Sequence, residues 1–342
     1  MPAITKPNQH FDATLYTGTG SNGLAVTNGG FQPDLIWLKS RNNTYYHNLL
    51  DSVRGAGVRL FSNLTDAESD NDCQSSFDSN GFTLNADAGG VNNSTTTYVA
   101  WQWKGGGTAV SNTSGTITSS VSANPTAGFS VVTYTGTGAN ATVGHGLGVA
   151  PQMIIVKCRS NASTNFTVYH TSIGNTGYIY LNLTNVAVTG YSGFWNNTSP
   201  TSSVFSLGSD VDGYVNGSGR TNVAYCFAPI AGYSAFGSYV ANASADGPFI
   251  YTGFRPRWIM LKRSSAAGAP WSMIDTSRSS FNAAKAELDA NTSDAEATAG
   301  NGMDILSNGF KLRDSGAFNS ASGATFIYAA FAEAPFKYAN AR

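Results

Sequence analysis

One seven-residue pattern occurs three times in the chain, and it constrains the fold more than any other feature. Each copy has a proline, one variable residue, four apolar residues and a lysine. The copies are Pro33–Lys39, Pro151–Lys157 and Pro256–Lys262. A proline suits the first position of a strand, where no ladder donor is lost. Four successive apolar residues predict a strand that is covered on both faces.

Other features recur in register with this pattern. A tyrosine lies seventeen residues before each proline, at Tyr16, Tyr134 and Tyr239. Each copy also ends in a strand-like segment in which large and small residues alternate, the period of a strand with one buried face. These segments are Tyr98–Trp103, Asn222–Phe227 and Ile327–Phe331. The repetition predicts three tandem, diverged units rather than one continuous domain.

We therefore predict an all-β fold of three tandem units, each similar to a β-sandwich or a jelly roll. The predicted units span residues 1–107, 108–232 and 233–342, and residues 108–127 form either a flexible linker or an edge strand. The short joint before residue 233 predicts that the second and third units pack closely, with the first unit hinged against them. One helix is expected at residues 280–290, where Phe281, Ala284, Lys285 and Leu288 have helical spacing.

Composition excludes several classes of protein. Charged residues make up 11% of the chain and the formal net charge is −1, so no basic field is available for nucleic acid. The sequence has no apolar run long enough for a membrane helix, and its first residues predict no signal peptide and synthesis in the cytoplasm. Three cysteines, Cys73, Cys158 and Cys226, match neither a disulfide framework nor a zinc motif.

Residues that could carry chemistry are few. The histidines, which form no metal-binding pattern, are His10, His47, His145 and His170. Two similar segments are predicted to be turns in which an aspartate pairs with the arginine three residues later. These pairs are Asp51 with Arg54 and Asp275 with Arg278. The acidic loop 66–72 could bind Ca²⁺, but a solvated loop is the alternative that we favour. We therefore predict a protein that is not an enzyme, with no catalytic, cofactor-binding or metal-binding residues.

Aromatic residues in loops between predicted strands are the candidate contact residues. They are Tyr45, Tyr46, Tyr191, Trp195 and Trp271. Loop aromatics on a β scaffold form many carbohydrate-binding and protein-binding surfaces. Packing between neighbouring units would give the same pattern, so the sequence leaves a binding surface and an assembly interface open.

Several of these segments together resemble a repeated module of unknown function that occurs in virion genes of tailed bacteriophages, particularly marine ones. The matching segments are Pro33–Lys39, Asp51–Gly55, Tyr98–Lys104, Asn222–Phe227 and Phe331–Arg342. The resemblance covers nearly the whole chain. It implies a phage particle protein of the tail or tail-fibre kind, and it transfers no catalytic residue.

The resemblance leads to three functional expectations. The first is a tail appendage that acts as an adhesin, binding a host-surface glycan or protein and contacting other virion proteins. The second is a capsid decoration protein that stabilises the head. The third, a carbohydrate-active enzyme, would need a paired-carboxylate site; the sequence offers no convincing candidate for one and disfavours this alternative. Because fibres and decorations commonly follow cyclic symmetry, we expect a homo-oligomer, and a homotrimer in particular.

Overall fold

The computed structural model describes residues 4–86, 90–210, 212–300, 302–316 and 318–333. Residues 334–342, which belong to the last segment of the resemblance, lie outside the described residues. Within these ranges the chain forms β-strands and one turn of 3₁₀ helix, Pro7–Gln9, and no α-helix. The prediction of an all-β fold is therefore confirmed.

The helix expected at residues 280–290 is wrong. The backbone N–H of Ala284 donates to the carbonyl of Met303, and that of Glu287 donates to the carbonyl of Ala297, both at 2.8 Å. These backbone groups thus bond to segments that follow in the chain instead of to residues four positions earlier. Of the apolar residues at helical spacing, Ala284 and Leu288 are buried, whereas Phe281 is 84% exposed.

The first set of strands forms two sheets. The large sheet has the order β1-β9-β3-β4-β5-β6, and the small sheet has the order β2-β8-β7. The strands are β1 (Phe11–Thr17), β2 (Leu24–Thr27), β3 (Leu35–Ser40), β4 (Asn48–Asp51), β5 (Val58–Phe61), β6 (Ser69–Asp70), β7 (Gln74–Asp78), β8 (Gly81–Leu84) and β9 (Thr97–Trp103).

The second set forms a seven-stranded sheet, β10-β11-β12-β18-β14-β15-β16, and a two-stranded sheet, β13-β17. The stretch 108–127 contains β10 and β11, which form one edge of the large sheet. The strands are β10 (Val110–Asn112), β11 (Ser119–Asn124), β12 (Phe129–Thr135), β13 (Ala141–Gly144), β14 (Met153–Cys158), β15 (Thr167–His170), β16 (Ile179–Tyr180), β17 (Val204–Leu207) and β18 (Thr221–Phe227).

The third set forms a five-stranded sheet, β19-β26-β21-β22-β23, and a three-stranded sheet, β20-β25-β24. All three large sheets thus contain the same core order, in which the closing strand lies between a tyrosine-bearing strand and the proline-led strand. The strands are β19 (Ser234–Val240), β20 (Phe249–Tyr251), β21 (Pro256–Arg263), β22 (Trp271–Asp275), β23 (Leu288–Asp289), β24 (Met303–Leu306), β25 (Gly309–Leu312) and β26 (Thr325–Ala332). The boundaries of the predicted units stay a prediction.

The equally spaced tyrosines hold the last loop of each set. Their hydroxyl groups donate to three equivalent carbonyls, Tyr16 to Val91, Tyr134 to Val215 and Tyr239 to Phe318, at 2.6 to 2.9 Å. The asparagine that follows each carbonyl is also buried and bonds to the loop after the tyrosine strand; the three are Asn92, Asn216 and Asn319. A buried amide needs several partners, so each asparagine fixes the two loops together.

Each large sheet is buried on both faces, as the run of four apolar residues predicts. Along β3, Leu35 and Trp37 belong to a central core, whereas Ile36 and Leu38 pack in a separate core with the small sheet. The same alternation occurs in β14, where Met153 faces the centre and Ile154 faces the small sheet. Successive side chains of a strand point to opposite faces, so one strand contributes to two cores.

The central core joins all three large sheets. Trp103 and Phe227 end their closing strands and Phe331 is the next-to-last residue of its strand; the three ring centroids lie 6.0, 5.7 and 5.9 Å apart in pairs. Large aromatic rings remove much apolar surface from water when they meet in this way. The expected hinge between the first unit and the other two is therefore wrong, since all three large sheets share one continuous apolar core.

Contacts between the sets run in a cycle. Glu68 of the first set pairs with Arg159 of the second at 2.7 Å, and Glu296 of the third pairs with Arg41 of the first at 2.8 Å. At the equivalent place between the second and third sets, the N–H of Ala187 donates to the carbonyl of Ser264. Each set therefore contacts the other two, both through these bonds and through the three rings of the central core.

The lysine that ends each proline-led pattern is fully buried. These lysines are Lys39, Lys157 and Lys262. Their ammonium groups donate to backbone carbonyls, for example Lys157 to Thr65 at 3.0 Å and Lys262 to Ala269 at 2.9 Å. Burial lowers the pKa of each ammonium group to about 8.

We expect these three lysines to titrate near pH 8, well below the value of about 10.4 for a lysine in a model peptide. Carbon-13 NMR of the lysine Cε atoms measures this directly, and a Lys-to-Arg replacement at each position assigns the signals. Between about pH 8 and pH 10 the unfolded chain holds protons that the folded chain has released, so these lysines increase stability as pH rises. Titration of all three above pH 10 would contradict the prediction.

Candidate binding surface

Two of the five aromatic residues predicted to lie in exposed loops are buried. Trp195 and Trp271 are each 2% exposed, so their prediction as surface contacts is wrong. The indole N–H of Trp195 donates to the carbonyl of Gly177 at 3.0 Å, and that of Trp271 donates to the carbonyl of Tyr180 at 2.9 Å. A buried indole is stable when its single donor is satisfied, and both side chains meet this condition through distant segments.

Tyr45 and Tyr46 lie between β3 and β4, and both retain contact with solvent. The ring of Tyr46 packs at 5.5 Å from that of Phe61, and the guanidinium of Arg59 lies 4.9 Å above the same Phe61 ring. These residues form a small mixed surface on the first set. Tyr45 makes no ring contact within the described residues.

Tyr191 belongs to a cluster of four partly exposed tyrosines in the second set, which we call the tyrosine cluster. Its members are Tyr178, Tyr180, Tyr191 and Tyr214. The ring of Tyr178 lies 5.0 Å from Tyr180 and 5.5 Å from Tyr191, and Tyr180 stacks on Tyr214 at 5.7 Å. The cluster thus combines segments that are more than thirty residues apart in sequence.

Phe194 packs against three rings of the tyrosine cluster. This buried ring lies 4.5 Å from Tyr178, 4.8 Å from Tyr191 and 5.8 Å from Tyr214. Gly208 allows the loop that carries Tyr191 to approach closely, because a Cβ atom there would lie 2.3 Å from the carbonyl oxygen of Ser192. Three of the tyrosine rings therefore lie against a buried aromatic ring.

An aspartate fixes the loop that presents Tyr214. The buried carboxylate of Asp210 accepts hydrogen bonds from the backbone N–H groups of Gly213, Val215 and Asn216 at 3.0, 2.6 and 3.2 Å. Burial, followed by the charges of nearby aspartates, raises the pKa of the Tyr191 and Tyr214 hydroxyls. Both hydroxyls consequently stay protonated near neutral pH and can donate hydrogen bonds.

Equivalent positions in the other two sets carry different chemistry. The strand register aligns Tyr178 and Tyr180 with Arg59 and Phe61 in the first set, and with Glu287 and Asp289 in the third. Since arginine and glutamate occupy the place of Tyr178, the strand pairing does not require an aromatic residue there. The tyrosines are a property of the second set alone.

Glu287 and Asp289 form a carboxyl pair that is absent from the residues predicted above to carry chemistry. They share a hydrogen bond, and burial with the neighbouring negative charge raises the pKa of Asp289 to about 7. Glycosidase carboxyls stand about 5 Å or more apart, on either side of the scissile bond. Two carboxyls in direct contact do not provide that geometry, so we assign this pair no role in hydrolysis.

The other polar candidates form interactions within the fold. Asp51 pairs with Arg54 at 2.5 Å, with both side chains buried, and the ring nitrogen of His47 accepts the indole N–H of Trp37. Glu68, from the acidic loop proposed for Ca²⁺, is bound by Arg159 through two hydrogen bonds. In the part of the chain that the structure describes, no three acidic, histidine or cysteine side chains come together as a possible metal site.

Comparison with known proteins gives one result. A family model described as a domain of unknown function, DUF7483, matches residues 6–335. No curated protein and no solved structure gives a significant match. Among the described residues, no helix is long and apolar enough to cross a membrane.

Proposed function

Because the chain belongs to a family of unknown function, DUF7483, we propose its role from the site: a bacteriophage particle protein that contacts the host surface through the tyrosine cluster. The observation that carries the proposal is the group of four partly exposed tyrosines on a rigid β scaffold. Tyrosine rings stack on the apolar faces of sugar rings, while their hydroxyls bond to sugar hydroxyls. We therefore propose a host-surface glycan as the ligand.

The arrangement of the sets supports this proposal. A surface residue is placed accurately when a packed core lies beneath it, and Phe194 and Trp195 provide that core under the tyrosines. The strand register is the same in the three sets, while the residues at the positions of Tyr178 and Tyr180 differ. Variation in partly exposed residues on a repeated scaffold is typical of a contact surface.

The particle assignment rests on the sequence resemblance to tailed-phage virion modules. A tail appendage is present in several copies, so weak contacts by single clusters add to a useful avidity. We propose a tail location and a trimeric assembly on that basis. A capsid decoration protein would use the same surface for contact with the head, and location on the particle distinguishes the two.

The first test is binding of the purified chain to host-surface polysaccharide. Replacing Tyr191 and Tyr214 together with serine is expected to weaken binding by about tenfold or more, because each stacked ring contributes on the order of 1 kcal/mol. Tyr46→Ser in the first set is the matched control, since it removes one exposed tyrosine outside the cluster. Circular dichroism and thermal unfolding check that the variants remain folded.

Two outcomes would overturn the proposal. If the double variant binds host polysaccharide as tightly as the unmodified chain, the tyrosine cluster is not the contact surface. If antibody against the chain labels the head of intact virions rather than the tail in immunogold electron microscopy, the tail-appendage role is wrong and a decoration role replaces it.

A further inference from the structure

The second set closes the outer edge of its small sheet with a segment of its own chain. The N–H of Ile117 donates to the carbonyl of Thr142 at 3.0 Å, and the N–H of Thr142 donates to the hydroxyl of Thr116 at 2.8 Å. Further along, the hydroxyl of Ser119 donates to the carbonyl of Gly144 at 2.9 Å. Residues 116–119 thus bond to the N–H and carbonyl of Thr142 and to the carbonyl of Gly144, which point outward from β13. Ile117 is bridged to Val143 in parallel orientation.

The third set has the same edge without such a segment. The registers pair Val143 with Phe205 and Ile250 with Phe310, which aligns Thr142 with Phe249 and Gly144 with Tyr251. The N–H of Leu312 bonds to the carbonyl of Pro248, and the N–H of Thr252 bonds to that of Asn308. Alternate residues of an antiparallel strand bond to opposite sides, so the backbone groups of Phe249 and Tyr251 point outward.

These outward groups have no hydrogen-bond partner among the described residues. The side chains beside them are exposed and large, since Phe249 is 44% exposed and Tyr251 is 67% exposed. The first set carries Ala25 and Thr27 at the equivalent positions, so the fold itself does not require aromatic residues here. Exposed edge strands are usually protected by charges, prolines or bulges, whereas this one is flanked by two aromatic rings.

Nearby charges are already paired. Lys311 forms an ion pair with Asp246 at 2.8 Å, and Arg313 forms one with Asp304 at 2.5 Å. The edge therefore presents backbone donors and acceptors together with aromatic surface. Lys311 and Arg313 each have an acidic partner already, so these two residues do not favour a charged ligand. An uncharged, extended segment matches this chemistry, as residues 116–119 do at β13.

We propose that the outer edge of β20 receives an extended, uncharged peptide segment of a partner protein, which adds to the small sheet as a further strand. The segment resembles residues 116–119 in chemistry, with hydroxyl and β-branched side chains, and it pairs in parallel orientation. Backbone hydrogen bonds to Phe249 and Tyr251 supply the pairing, and their rings pack on the alternate side chains of the segment. This docking edge is separate from the tyrosine cluster and does not depend on the glycan proposal.

The probe for this proposal is a capped synthetic peptide with the sequence of residues 113–120, Thr-Ser-Gly-Thr-Ile-Thr-Ser-Ser. Amide hydrogen exchange of the full chain is followed by NMR with and without millimolar peptide. We expect the amides of Phe249 and Tyr251 to exchange rapidly in the free chain and at least about tenfold more slowly with bound peptide, because hydrogen-bonded amides are protected. The amides of Ala25 and Thr27 should change little.

Two controls test the two parts of the interaction. A peptide that carries an N-methyl group on its isoleucine lacks the donor that Ile117 uses, and it should give no protection. The variant Phe249→Ala with Tyr251→Thr places the residues of the first set on the same edge. It should stay folded and bind the peptide about tenfold more weakly, because both rings are lost.

Any of three results would overturn the proposal. The first is an absence of protection at Phe249 and Tyr251 with millimolar peptide. The second is equal protection by the N-methylated peptide, which would show that strand pairing is not involved. The third is binding of a polysaccharide that shifts the Tyr251 ring signals while the two amides still exchange rapidly, which would identify the edge as a sugar-stacking surface instead.

Discussion

Replacing Arg54 with methionine is expected to lower the free energy of unfolding by about 3–5 kcal/mol, because it leaves a buried carboxylate without its counter-charge. The guanidinium of Arg54 contacts Asp51 at 2.5 Å, and it also donates to the carbonyl of Leu49 at 2.8 Å. Both side chains of the pair are fully buried. Urea unfolding of the purified variant at pH 7.5, followed by tryptophan fluorescence, measures the loss.

The matched control removes both charges. The double variant Asp51→Leu with Arg54→Met should be destabilised less than Arg54→Met alone, since replacing an entire buried pair with apolar residues avoids the unpaired charge. The hydroxyl of Tyr225 would then lose the carboxylate to which it donates at 2.8 Å, so some destabilisation remains. Equal or larger destabilisation in the double variant would show that the pairing of the two charges is not the source of the effect.

The aspartates of two such Asp–Arg pairs also bond to a neighbouring set. Asp51 accepts from Tyr225 of the second set, and Asp275 accepts from the indole N–H of Trp101 of the first set at 3.0 Å. In each case the carboxylate of one set bonds to an aromatic donor on the closing strand of another. The spacing of Asp51 and Asp275 from the arginines three residues later predicts local pairing, and both pairs are present. Their bonds to a neighbouring set could not be derived from spacing along the chain.

Much of the fold could be predicted because the same pattern occurs three times. The four apolar residues of Leu35–Leu38 predict a strand with two covered faces, and the alternation at Tyr98–Trp103 predicts which side chains face each core. Neither pattern states what lies on the second face. The shared core of Trp103, Phe227 and Phe331 depends on how three sheets meet, which is a matter of tertiary contacts between distant segments.

The candidate site was predicted less well. Tyr191 lies in the tyrosine cluster, but Trp195, four residues further on, is buried against it. Hydrophobic spacing does not separate a loop aromatic that packs inward from one that faces solvent. The alternation Tyr178-Ile179-Tyr180 was an available signal, because it places two tyrosines on one face of a strand. Their partner Tyr214 follows an Asp-Gly turn that could not be aligned with them by sequence alone.

Acidification to pH 4.5 is expected to lower the free energy of unfolding through His170 by about 2–3 kcal/mol. This residue occupies the place of Asp51 and Asp275 in the second set and is 1% exposed. Its Nδ1 accepts from the N–H of Ser172 and its Nε2 lies 3.1 Å from the carbonyl of Tyr328, so the neutral ring with a proton on Nε2 fits the site. Burial lowers the pKa of His170 to about 4.

The direction of the effect follows from the two pKa values. The unfolded chain takes up a proton near pH 6.5, whereas the folded ring remains neutral down to about pH 4. Stability from the neutral ring is therefore complete above pH 6.5, and it is lost as the pH falls from 6.5 towards 4.

The variant His170→Gln keeps a donor for the carbonyl of Tyr328 but cannot be protonated in this range, so it should lose about 2 kcal/mol less than the unmodified chain between pH 7.5 and pH 4.5. Other buried histidines affect both proteins equally and cancel in that difference. If urea unfolding gives the same loss in free energy of unfolding for both proteins, protonation of His170 is not a source of the destabilisation in acid.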